Sequence, residues 1–83
     1  MTIIDERLAL ACEALRHCSY PGVASFADAL PHVHAAPGPH VHRMNAAVKL
    51  ARDQVNTALV RGDDTENLEK ARDAIGALWA VLE

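Results

Sequence analysis

Apolar residues recur along this chain at alternating spacings of three and four, the period of a helix buried on one side. The first such stripe is Ile4, Leu8, Ala11, Cys12 and Leu15, and it predicts a helix over about residues 3–17. Thr2 stands where an N-cap belongs, and Asp5, three residues on, mimics the acid of a capping box. Asp5, Glu6, Glu13, Arg16 and His17 fall largely outside the stripe. Cys18 to Gly22 reads as a turn. A second, shorter helix is expected over 21–30, with Val23, Phe26, Ala27 and Leu30 on one face. Pro31 is expected to stop it, because proline lacks the backbone donor and its ring clashes with the preceding turn. Pro31, Pro37, Gly38 and Pro39 then predict an irregular His/Pro-rich loop over 31–38.

The second half is more regular. Val41, Met44, Val48, Ala51, Val55 and Ala58 form a heptad-like seam, predicting a helix over 39–61 with proline at its first position. Gly62 stands in the usual place for a C-terminal glycine, with Arg61 in the last turn, where a cation favours the helix dipole. Leu68, Ala71, Ile75, Leu78 and Leu82 predict a last helix over 64–82, with Glu66 in its first turn. Two such helices joined by Gly-Asp-Asp must lie antiparallel and side by side. Arg43, Lys49, Arg52 and Arg61 against Asp53 leave residues 43–62 at +3. Six acids against Lys70 and Arg72 leave residues 63–83 at −4, so the charges are expected to favour the pairing. Helices over 3–17 and 21–30 should pack across the hairpin through Leu8, Leu15, Phe26 and Leu30. The expected fold is all-α: a single domain, residues 1–83, forming a small three- to four-helix bundle with a C-terminal antiparallel helical hairpin.

Composition narrows this further. Apolar residues make up 51%, which argues against disorder, while aromatics are only 4% (Tyr20, Phe26, Trp79). The core must therefore be built from Leu, Ile, Val and Ala, and Ala is the strongest helix former. A chain this short buries only about 60–65% of the surface its unfolded form exposes, and association with a partner is a common remedy. A net charge of −3 does not suit binding to phosphate backbones, so no nucleic-acid partner is expected. No apolar run approaches the roughly 18–20 residues a membrane span needs, and no membrane partner is expected. Met1 to Glu6 lack a basic region followed by an apolar block, so no signal peptide is expected. Cys12 and Cys18 are six residues apart, about 240° around one helix, and cannot pair there. Reduced thiols in a cytoplasmic protein follow, with Cys12 a small core hydrophobe and Cys18 the more exposed of the two.

Two features bear on function. His32, His34, His40 and His42 lie within eleven residues as two His-Val-His units. In an extended loop, residues two apart point to the same side, so His32 and His34 form a possible chelate for a Zn, Ni or Cu ion. His40 and His42, if helical, diverge by about 200°. The same residues offer a pH-sensitive charge. No Lys-Gly follows a helical histidine, as a phosphotransfer site would need, and neither serine has the neighbours of a carrier-protein site. Asp63 and Asp64 read as acids at a helix start, and Arg61-Gly62-Asp63 as a helix stop and start. The other feature is the uncharged stretch Ala74 to Leu82. Ile75, Leu78 and Leu82 belong to the hairpin; Gly76, Ala77, Trp79, Ala80 and Val81 need another cover, from the first two helices or from a second chain. The sequence thus reads as a non-enzymatic protein–protein interaction module, a small regulator, adaptor or inhibitor that self-associates as a homodimer or larger homo-oligomer, and that needs no cofactor. The alternative is a metal-binding or metal-sensing helical protein that uses the His-Val-His loop.

Overall fold

The structure, a computed structural model, describes residues 2–82 and consists of helices joined by short links. In chain order these are α1 (Ile3–Arg16), α2 (Pro21–Ala24), α3 (Phe26–Ala35), α4 (His40–Val60) and α5 (Thr65–Leu82). Four of them form the walls of a bundle: α1 packs on α5 and α3, and α4 packs on α5 and α3. The backbones of diagonal pairs do not come close, so the bundle is square, and the short links make successive helices run up and down. The single turn α2 closes one end against α3, α4 and α1. α4 has 21 residues, a length of about 31 Å, and the molecule measures 37 × 19 × 19 Å.

Local signals place the helix ends. Thr2 and Asp5 form the expected capping box: the Thr2 hydroxyl accepts from the Asp5 amide at 3.2 Å, and Asp5 accepts from the Thr2 amide at 3.1 Å. α4 stops where glycine was expected to stop it, since Gly62 has φ +80° and its amide donates to the Leu59 carbonyl. Asp64 also sits at positive φ, 55°, a conformation aspartate tolerates better than most residues. Its carboxylate accepts from the Ser19 amide at 2.8 Å and the Asn67 side chain at 2.7 Å, so it holds the α1–α2 link to the start of α5.

The core follows the stripes. Leu8, Ala11, Cys12 and Leu15 of α1, Leu30 of α3, Met44 to Ala58 of the α4 seam and Leu68 to Leu82 of α5 are buried together. Phe26 packs against them half-buried, so the expected packing of the N-terminal helices on the hairpin holds. Val41, expected in the seam, is 52% exposed. His40 takes the inward position instead, because it lies one full turn before Met44, whereas Val41 is rotated about 100° from it.

Three further expectations are corrected. The segment 21–30 is two helices, divided at Ser25, whose hydroxyl donates to the Gly22 carbonyl at 3.2 Å. Pro31 does not end the second of them. α3 continues through it to Ala35, with Leu30 fully buried and Val33 packed on the core, and that packing offsets the missing proline donor. Cys18 lies beyond the end of α1 and is only 6% exposed, its thiol directed at the Ala14 and Asn67 carbonyls. The opposite charges of α4 and α5 do not meet as ion pairs among the described residues; Glu13–Arg16 and Glu66–Lys70 pair within single helices.

Candidate functional site

Because α3 runs through Pro31, His32 and His34 are helical and diverge by about 200°, as His40 and His42 do at the start of α4. They do not point to the same side, as an extended loop would have required. The two units face each other across the 36–39 link instead. The inner pair, His34 and His40, turns toward α1; the outer pair, His32 and His42, turns to the opposite surface, where both line one groove.

The inner pair forms a chain of hydrogen bonds. His34 Nε2 lies 2.7 Å from Asp5 Oδ1, and His34 Nδ1 lies 2.7 Å from His40 Nε2. The rings meet edge to face, with centroids 4.8 Å apart. The Asp5 carboxyl is held down to about pKa 2, first by the Thr2 amide, then by His34 and by the Thr2 hydroxyl. An ionised carboxylate only accepts, so His34 Nε2 carries a proton and donates to it. His34 Nδ1 then accepts from His40 when neutral, or donates to it when His34 is an imidazolium. The chain ties α1, α3 and α4 together at the link end of the bundle. Nearby, the Arg43 guanidinium donates to the Pro37 carbonyl at 2.7 Å and packs against Gly38, where a Cβ would lie 3.2 Å from it. Gly38 also has φ +109°, which favours glycine. Among the described residues, no group of three or more His, Cys, Asp or Glu side chains is arranged to hold a metal ion.

The outer pair belongs to a different surface. Between the end of α3 and the first turns of α4 runs a groove of about 480 Å³, floored by Val33, Ala36, Ala46, Ala47 and Leu50. His32, His42 and Arg43 stand at its rim. Leu50 is 58% exposed there. His32 Nδ1 lies 2.8 Å from the Asp28 carbonyl, which can only accept; Nδ1 therefore carries the proton, and Nε2 faces away from that bond. A smaller cavity of about 130 Å³ opens at the opposite end, lined by Tyr20, Val23, Thr57 and Arg61 among others, with Arg61 over the Tyr20 ring at 5.7 Å.

The C-terminal surface is placed as follows. Gly76 and Ala80 face solvent one turn apart, while Ala77, Trp79 and Val81 are half-buried. α1 lies along α5, and Arg52 of α4 sits over the Trp79 ring at 5.4 Å. Both thiols are buried, and burial raises both pKa values, which keeps them protonated and unreactive. No helix among the described residues is long and apolar enough to cross a membrane.

Sequence reasoning missed Asp5 as a histidine partner and missed the groove. Asp5 was already explained as a cap, and it lies 29 residues from His34. The groove needs α3 to be helical beyond Pro31. In comparisons with known proteins, no protein-family model, no curated protein and no solved structure matches the chain.

Proposed function

We propose that the chain is a non-enzymatic protein–protein interaction module that docks a helix of a larger protein in the groove between α3 and α4. The observation that carries this reading is the groove itself: an apolar floor left open between two helices, with a leucine of that floor more than half exposed. Its geometry suits the mode in which an amphipathic helix lays its apolar side into a trough between two others. The protonated, buried thiols and the inward-facing histidine chain, spent on Asp5 and on each other, support a binding role over a catalytic one. Self-association through Gly76, Ala77, Trp79, Ala80 and Val81 is an alternative use of the chain, and light scattering over a concentration series tests it directly.

The groove is tested by site-specific photo-crosslinking in extracts of the native host. A crosslinker at position 50 should capture one partner at a stoichiometry that Leu50→Glu, combined with a crosslinker at position 46, abolishes. A crosslinker at Glu69 on α5 should not capture it. Capture that is equal from positions 50 and 69, or that survives Leu50→Glu, would sink the proposal.

A further inference from the structure

We infer, resting on the docking reading above, that the partner helix is acidic: its apolar side seats on Val33, Ala47 and Leu50, and its carboxylates meet His32, His42 and Arg43. The charge of the groove carries this. Every polar side chain that lines it is a cation or becomes one on protonation, and no acid lines it. The nearest acids in the two helices are Asp28, one turn before His32, and Asp53, one turn beyond Leu50. The cationic groups therefore gather at the link end and the acids at the far end, so the groove has a direction as well as a sign. Arg43 is already held in place by the Pro37 carbonyl through one nitrogen, and its remaining donors are available to a carboxylate without further ordering. From His42 to Leu50 the groove follows α4 for eight residues, about 12 Å. That length matches two turns of a docked helix, with anchors at i, i+4 and i+7 and acids near the end that lies over the link.

His32 adds a chemical signature. Its Nδ1 proton is committed to the Asp28 carbonyl, so in the neutral ring Nε2 is an acceptor. A carboxylate set against Nε2 forms a hydrogen bond only if a proton is added there. Docking an acidic helix is therefore coupled to proton uptake, and binding strengthens as pH falls. The other charged and titratable groups that line this rim are His42 and Arg43 from α4; Asp28 stands one turn before His32 on α3, outside the lining, and Asp5 of α1 is bonded to His34 on the opposite side of α3.

The test uses the full chain and two helix-stabilised peptides of about 15 residues, long enough to hold helical form. Both carry Leu at i, i+4 and i+7; one has Glu at the flanking positions of one end, the other has Lys there. Fluorescence anisotropy should show the Glu peptide binding at least 10-fold more tightly at low salt, with the ratio shrinking as salt is raised. Arg43→Gln with His42→Gln should remove most of that ratio while circular dichroism shows the helical fold retained. Calorimetry in buffers of differing ionisation enthalpy should show proton uptake with the Glu peptide, and His32→Gln should abolish it. Equal affinity of the two peptides, or tighter binding of the Lys peptide, overturns the acidic-partner inference; if Leu50→Glu still weakens both, the docking reading stands. If neither peptide binds and crosslinking at position 50 captures nothing, both fall.

Discussion

Replacing Pro31 by Ala should stabilise the protein. Pro31 is the sixth residue of α3, past the first turn where proline is tolerated, and it faces solvent, so its ring is not needed to fill the core. It denies the Ala27 carbonyl its i+4 donor. Proline inside a helix costs about 3 kcal/mol relative to alanine. Part of that gain is returned, because alanine frees the unfolded chain by roughly 0.4–1 kcal/mol. The strain is also partly relieved in the native fold, where a solvent-facing carbonyl can bond to water, so a net gain of about 1–2 kcal/mol is expected. At about 4–8 °C per kcal/mol for a chain of this size, the melting temperature should rise by roughly 5–15 °C. Thermal and urea melts followed by circular dichroism measure it, with an unchanged urea slope confirming that the stability and not the denatured state has shifted. Amide exchange adds a direct readout, since the new amide at position 31 should be protected. An unchanged or lowered melting temperature, with an unprotected amide at 31, would refute the continuous helix through Pro31 and, with it, the placement of all four loop histidines.

Other outcomes follow from the same packing. His34→Ala should lower the melting temperature measurably while His32→Ala leaves it nearly unchanged, since His34 joins α1 to α4 and His32 bonds only a carbonyl of its own helix. The sequence alone suggests that both histidines are dispensable to the fold. The bonds that hold the Asp5 carboxyl near 2, below its ordinary 3.8, are fully present above about pH 4 and lost as pH falls through 2; Asp5→Asn should flatten that limb of an acid titration of stability. Asn45 Oδ1 is buried with no hydrogen-bond partner, so Asn45→Leu should stabilise by about 1 kcal/mol in a urea melt, and a loss of stability would mean the oxygen is satisfied.

What could be read from the sequence is what is set locally. The stripes of α1, α4 and α5, the Thr2–Asp5 box and the Gly62 stop each depend on residues within a few positions of one another. The misplacement of the four loop histidines has one origin, the treatment of Pro31 as a helix end. Proline costs only a few kcal/mol, and burying Leu30 and Val33 against α1 and α4 exceeds that; local propensity cannot report it. Cys18 was misjudged for a similar reason, because its cover comes from Asn67, 49 residues away. One signal for the histidine chain did exist. His34 and His40 each stand three residues from Pro37 in a near-palindrome, and two helices meeting at such a link bring matching positions together.

That palindrome has a mechanical consequence. On a helix, two residues of separation is about 200° of rotation, so each His-Val-His unit sends one histidine inward and one outward. The inward pair locks the ends of α3 and α4 to the cap of α1, and the outward pair lines the groove between the same two helix ends. The spacing of His32 from His42 is therefore set by the bond between His34 and His40, with Val33 of the groove floor held between the two histidines of α3. A change that opens the inner pair acts first on the cationic end of the groove, because Leu50 lies two turns along α4 from His42, exposed beside the buried Val48 and Ala51. The cationic end of the groove is thus the end the histidine chain holds, and its apolar end lies beside the core.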